Sequence, residues 1–417
     1  MRKSTMVILG CTLASPAAYA AERLLWPDEG HFYAYPAEAR TDTLEISASA
    51  GLTRDSNAFR LSDSEDANAI LGTGDRSDLI RRLGLGLKAD LKVSRQRFLL
   101  EADANLYDFD RFDFLDHTAY KLGADWKWEV GNQWAGDLGY ARRRQLASLG
   151  ELQGRIKDLI THDNLHFNAG YKLSPSLRLR GGLEGNRYEH SESSRSVLDN
   201  RTVSALVGVD YLSRAENFAG GQLKVTDGNY PNRQVTAGAT VDNEYMEYEA
   251  SGVVGWQFAA KTRFDGRLGY TWRRHDEVSA RDFNGVTGRG ELRYQVSPKT
   301  LVDLAAYREI RAVEDVNASY ALVKGVRVGP AWAPTVKTLL QANLIYEQQD
   351  YRGDPGFALG TGIRREDKVR AARLTAGWKP YRSAELTLSL ERGRRDSNLA
   401  AAEYDYNAVS LNAGIRF

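Results

Sequence analysis

In 417 residues, 56 lysines and arginines are offset by 55 aspartates and glutamates, which leaves a formal net charge of +1. Nothing in that balance suggests a nucleic-acid-binding protein, whose phosphate contacts draw on a basic surplus. Outside the N-terminus no apolar run approaches the roughly 18 residues that a helix needs to span a bilayer, so helical spans are excluded as well.

The N-terminus has the layout of a secretory signal: basic Arg2 and Lys3, a short apolar core from Met6 to Leu13, and a small-x-small site at Ala18-Tyr19-Ala20. Residues 1–20 are therefore expected to be removed, with the mature chain beginning at Ala21. The one cysteine, Cys11, falls inside this segment. Ile8-Leu9-Gly10-Cys11 looks like a lipobox, but the apolar stretch before it is too short. Without Cys11 the mature chain has no disulfide, no thiolate chemistry and no cysteine-held metal. Residues 21–42, with Trp26, Pro27, His31 and Pro36, have no period and read as a periplasmic lead-in.

From residue 43 to the end one pattern recurs: a strand-like run, a tight polar turn, a second run, then a longer polar loop. Tight turns are expected near Lys92–Arg95, Gly131–Gln133, Ser174–Ser176, Ser213–Glu216, Ala259–Lys261, Ser297–Lys299, Ala333–Thr335 and Lys379–Arg382. Longer connections are expected at Asp55–Arg76, Asp110–Asp116, Ser148–Gly154, His190–Ser196, Asp227–Ala237, Asp276–Arg281, Val313–Asn317, Tyr351–Glu366 and Asp396–Ala401. Eight turns and nine loops join about 18 strands, within the size range of transmembrane barrels. An even count puts both ends on the side from which a signal-led chain arrives. Regular spacing would also suit a propeller or solenoid, but neither explains the facing pattern.

That pattern is strict alternation, the period of a strand with two environments. Leu83, Leu85, Leu87, Ala89 and Leu91 are separated by Arg82, Gly84, Gly86, Lys88 and Asp90. Phe98, Leu100, Ala102, Ala104 and Leu106 alternate with Glu101, Asp103 and Asn105. Leu386, Leu388 and Leu390 alternate with Glu385, Thr387, Ser389 and Glu391. The second face is dense in full charges of both signs. Aromatics at Trp126, Trp128, Trp134, Tyr171, Tyr211, Trp256, Phe264, Tyr294, Trp378 and Phe417 fall near short turns or the chain end, as an interfacial girdle would. The object that fits is an all-β, transmembrane outer-membrane β-barrel over residues 43–417, with lipid outside and a wet, charged lumen inside. Closure removes the unpaired edges that hydrocarbon does not tolerate. Arg81, Arg142, Arg274, Arg392 and Arg394 share the outward parity at the loop end and are candidate contacts for lipopolysaccharide phosphates. The last strand, Tyr404–Phe417, resembles the closing strand of bacterial outer-membrane barrels, and its terminal Phe417 implies recognition by the barrel assembly machinery.

No catalytic set stands out. His162 and His166, on one face of a strand, are about 13 Å apart, too far for one zinc. His190 with Ser191 and Ser193 is the nearest approach to a hydrolase pair, but alternation parts them. Asp227-Gly228 and Asp354-Pro355-Gly356 read as turn formers, and Asp63, Glu65 and Asp66 as a solvated acidic loop before a calcium site. No cofactor is implied. The candidate path is the inward rows: Glu101, Asp103, Asn105 and Tyr107; Arg178, Arg180, Glu184 and Tyr188; Arg263, Asp265 and Arg267; Arg289, Glu291 and Arg293. Their mixed sign argues against an ion- or phosphate-selective pore and suits either paired charges that keep the lumen wet or a sliding sugar path.

The first loop adds a resemblance. Arg54-Asp55-Ser56-Asn57-Ala58-Phe59-Arg60-Leu61, Arg76-Ser77-Asp78, Ser94-Arg95-Gln96-Arg97 and Leu106-Tyr107-Asp108-Phe109 resemble the EpsL-type barrel proteins of exosortase-associated exopolysaccharide loci. The resemblance implies an outer-membrane role in exopolysaccharide export, with periplasmic and inner-membrane export proteins as partners. It supplies no catalytic residues. At the matching positions Asp55, Asn57, Phe59 and Arg60, a fold-back of the first loop is expected ahead of substrate contact. The function expected is a passive conduit for a secreted polysaccharide. A general diffusion porin and a non-conducting scaffold are the alternatives.

Overall fold

The structure, a computed structural model, describes residues 44–152, 154–215, 217–232, 244–277, 279–312, 320–352 and 364–417. The expected signal segment 1–20, the lead-in 21–42, the loop at Val313–Asn317 and Asp354-Pro355-Gly356 lie outside the described residues.

Eighteen strands follow in order: β1 (Leu44–Asp55), β2 (Asp78–Val93), β3 (Gln96–Phe109), β4 (His117–Val130), β5 (Trp134–Leu146), β6 (Leu159–Ser174), β7 (Leu177–His190), β8 (Asn200–Leu212), β9 (Phe218–Asn229), β10 (Tyr245–Ala259), β11 (Thr262–His275), β12 (Phe283–Ser297), β13 (Thr300–Arg311), β14 (Tyr320–Thr335), β15 (Thr338–Arg352), β16 (Glu366–Tyr381), β17 (Ala384–Ser397) and β18 (Tyr404–Arg416). Each pairs antiparallel with its neighbours in the chain, and β1 pairs with β18, so the sheet closes. One short helix, α1 (Ala67–Leu71), sits in the first long loop, capped by the Asp66 side chain and by Gly72 in the left-handed region.

The register carries out what the alternation asks. Leu83 lies opposite Leu106, and Leu85 opposite both Ala48 and Ala104, so the apolar row runs sideways from strand to strand on the outside. Leu85 is 68% exposed, an arrangement that only a lipid neighbour makes comfortable. Arg82, three residues away and so of opposite parity, is buried on the inside. Trp126, Trp134, Tyr211, Tyr294, Trp378 and Phe417 are exposed outward next to short turns or the chain end. Tyr140, Tyr248, Tyr270 and Trp272 are exposed nearer the opposite rim.

Three expectations need correcting. The turns expected at Ala333–Thr335 and Lys379–Arg382 come later, because β14 runs to Thr335 and β16 to Tyr381. Pro334 and Pro380 invite a turn reading, yet both fall in register shifts, where a residue without an N–H costs no ladder bond. Asp227-Gly228 is strand, paired with Met246 and Tyr245 in β10. Glycine is needed there because the Tyr245 ring lies over it; a Cβ would come within 2.2 Å of that ring.

A direct consequence concerns Leu85. Leu85→Arg should destabilise the barrel by about 2–4 kcal/mol in reversible unfolding from lipid vesicles, since it sets a guanidinium in hydrocarbon. A change below about 0.5 kcal/mol would mean that this face meets water.

Candidate functional site: the lumen and its mouth

The inward rows line the barrel with ion pairs. Glu101 sits between Lys88 at 3.1 Å and Lys121 at 2.6 Å, bridging β2, β3 and β4. Asp103 shares its inward face. The Asn105 side chain accepts from Arg82 at 2.7 Å, and Tyr107 stacks on His117 at 4.8 Å. On the next wall Arg178 and Arg180 converge on the fully buried Asp210 at 2.6 and 2.7 Å. Glu184 accepts from Asn164 at 3.1 Å, and Tyr188 stacks on His162 at 4.0 Å. Beyond it, Arg263 pairs with Asp265 at 2.7 Å, Arg267 with Glu249, Arg289 with Glu291 at 2.7 Å and Arg293 with Asp303 at 3.1 Å. These residues share a face but form no single site; they are spread round three walls. The half-exposed pairs among them, such as Arg263 with Asp265, hold side chains in place and contribute little stability each.

The outward arginines are also placed. Arg81 meets Asp108 and Asp110 at 2.7 and 2.6 Å, Arg142 meets Asp163 at 3.5 Å, Arg274 meets Asp282 at 3.7 Å and Arg394 meets Asp396 at 2.6 Å. Arg392 is exposed on the same face.

The loops at the mouth turn inward. Asp55 and Arg60 form a fully buried pair at 2.9 Å, the Asn57 N–H donates to Asp55 at 2.8 Å, and the Asn57 side-chain oxygen accepts from the Leu61 N–H at 2.9 Å. Arg60, held in the left-handed region at φ 55°, lies 3.4 Å over the Tyr406 ring. That fold-back drives Phe59 into contact with Phe112 at 4.8 Å. Leu71, Leu115, Leu149 and Leu152 join it, so three successive long loops share one apolar cluster inside the mouth.

One of those loops crosses the lumen. The short 3-10 turn Leu149–Glu151, between β5 and β6, reaches the wall made by β16 and β17. The shorter way round the barrel from β17 to β5 passes β18, β1, β2, β3 and β4. Glu151 binds Arg365 at 3.1 Å and Arg395, whose second nitrogen donates to the Gly150 carbonyl at 2.8 Å. Arg365 also pairs with Asp367 at 2.7 Å and lies 4.2 Å over the Tyr351 ring. All three latch side chains are buried. Burial alone would raise the Glu151 pKa, but Arg395 and Arg365 outweigh it and pull the carboxyl down to about 2.

Sequence reasoning missed Glu151, Arg365 and Arg395. The loop that carries Glu151 reads as polar, although Leu149 and Leu152 flank Glu151, and two leucines in a short loop are a sign that it is covered.

No catalytic geometry assembles around His190. Its Nδ1 is 2.6 Å from Asp158, but the Ser191 hydroxyl lies against Asp158, at 3.4 Å, and accepts from the Leu159 N–H. Asp158 is a loop anchor: burial would raise its pKa, but bonding to His190 and Arg195 holds it below the usual carboxylate range. Asp63 is paired with Arg76 at 2.8 Å. No metal-spaced group occurs among the described residues.

A closed ring, an ionic lumen and inturned loops are porin architecture. A family profile described as "putative beta-barrel porin 2" matches residues 66–417. The chain belongs to that family. The matched segment begins after Asp55, Asn57, Phe59 and Arg60. No curated protein matches the chain. Among solved structures, the chain is similar to outer membrane protein OpdK of Pseudomonas aeruginosa, at 11% identity over 90% of this chain and 99% of that one, TM-score 0.48. It is also similar to a BenF-like porin of Pseudomonas fluorescens, at 10% identity over 90% and 98%, TM-score 0.48. A third is OpdF of Pseudomonas aeruginosa, solved in complex with glucuronate, at 12% identity over 90% and 98%, TM-score 0.47. By its family, the chain is a porin-like outer-membrane barrel.

The latch has a measurable signature. Glu151→Gln leaves two buried guanidiniums short of a charge and should raise single-channel conductance as the loop detaches from the far wall. In the unaltered porin the depressed Glu151 pKa means that the contact is fully present above about pH 4.5 and is lost as pH falls toward about 2. Conductance should therefore hold level from neutral pH to about 4 and change only below roughly 3. A step near pH 6 would show that another group controls the mouth.

Proposed function

We propose that this barrel is a passive diffusion channel for small hydrophilic solutes across the outer membrane. The observation that carries the reading is the crossing of an ionic, water-compatible lumen by the Glu151 loop. A lining of paired charges of both signs attracts neither sign strongly, so polar solutes of either charge can exchange water for wall contacts without being trapped. The crossing divides the mouth. A small solute needs only to pass beside it, whereas a polysaccharide would have to thread past a buried ion-pair cluster at every residue of its length.

The family description favours the same choice, since it names a porin. The EpsL-type resemblance favours a polymer conduit, served by periplasmic and inner-membrane export proteins. That reading requires the latch to open and stay open during transport, and so it stands second. In both readings movement is driven from outside the barrel.

Reconstituted protein should let glucose and small organic acids swell liposomes while excluding long dextrans, and Glu151→Gln should move that limit upward. Deleting the gene should leave any secreted polysaccharide at the cell surface. Polymer held in the periplasm of the deletion strain, together with no liposome swelling by any small solute, would reverse the assignment.

A further inference from the structure

The outward face of the barrel is not uniform. Across β9 to β15 it is scooped into a groove of about 960 Å³, a size that holds a ligand rather than a water layer. Its floor is made of positions with little or no side chain, Gly252, Gly266, Gly288, Gly290 and Ala306, with Leu268 and Val326 among its walls. The groove faces hydrocarbon, so something apolar fills it.

Its loop-side end is charged. Arg308 and Lys324 both line the groove, face outward and stand directly opposite each other across β13 and β14. Like charges in directly opposed positions destabilise a sheet. Elsewhere on this face the chain relieves the same conflict itself. Arg370 and Arg394 are also directly opposed, across β16 and β17, and Asp396 lies 3.2 Å from one and 2.6 Å from the other. At Arg308 and Lys324 no carboxylate does this among the described residues. Arg308 donates only to the Val286 carbonyl, and Lys324 makes no ion pair there. An anion from outside the chain would relieve this conflict.

Height selects the anion. Arg308 is eight residues up β13 from Thr300 at the short-turn end. At the rise and tilt of a barrel strand this is about 20 Å, near the outer edge of an apolar band about 25 Å tall. Phosphates at that level belong to the outer leaflet, and acyl chains hang directly below them. We propose that this groove is a binding site for one lipopolysaccharide molecule, with a lipid A phosphate between Arg308 and Lys324 and an acyl chain along the glycine floor. The ligand supplies the charge that Asp396 supplies between Arg370 and Arg394. The site is independent of what the lumen carries.

The test weighs intact barrels, extracted from outer membranes in mild detergent, by native mass spectrometry. The unaltered protein should carry one lipopolysaccharide. Arg308→Glu with Lys324→Glu should lower that occupancy about tenfold. Lys324→Gln serves as the milder variant should the double reversal fail to fold, which heat-modifiable gel mobility reports. Gly252→Leu, at a position where a side chain meets no backbone closer than 3.9 Å, fills the floor and should weaken retention with both cations intact. Purified lipid A added to stripped barrels should rebind, and phosphatidylglycerol should not. Equal occupancy in the double variant and the unaltered protein would overturn the proposal. So would a second barrel copy, or phosphatidylglycerol, on the groove in place of lipopolysaccharide.

Discussion

Everything in this molecule follows from the fact that hydrocarbon offers the backbone no hydrogen bonds. A peptide group facing lipid must be satisfied within the chain, and a sheet can do this only by having no edge. The pairing of β1 with β18, Ser47 opposite Arg416 through Asp55 opposite Ala408, is therefore the seam on which the other seventeen strand pairings depend. Once the ring is closed, the pleat sends successive residues to opposite solvents. A chain with 27% charged residues can then sit in a membrane, because half of each strand never meets lipid.

The same constraint explains how much could be read in advance. Strand existence, count and facing were legible, because a two-residue period is imposed wherever the two faces meet different media. Leu83 to Leu91 and Val409 to Phe417 show it without help from any other part of the chain. Ends were less legible. Pro334 and Pro380 carry turn chemistry but lie in bulges, and Asp227-Gly228 carries it but lies under a tyrosine ring. In each case the partner strand, which no local pattern reveals, decided the matter.

The mouth was least legible of all. Loops have no period, so nothing in Leu149-Gly150-Glu151-Leu152 says which wall it will reach. Glu151 meets Arg395 across 244 positions of sequence, and that pairing exists only because the closed ring brings the loop after β5 within reach of β17. The inward arginines and carboxylates of the strands were found by parity alone; their partners, such as Asp210 between Arg178 and Arg180, needed the register. Division of labour follows. Strands set the medium on each side, loops set the aperture, and the outward cations at the rim are either neutralised by the chain or left for the membrane to neutralise.

The central claim is that adjacent residues of one strand live in different solvents, and it is tested most directly by spin labels at Leu183 and Glu184 in β7. In a Cys11→Ser background, single cysteines at these two positions would be labelled and the barrel reconstituted in lipid vesicles. The account predicts that the label at 183 is relaxed by dissolved oxygen and shielded from a nickel chelate, and that the label at 184 shows the reverse. Equal access of the nickel chelate to both would contradict it.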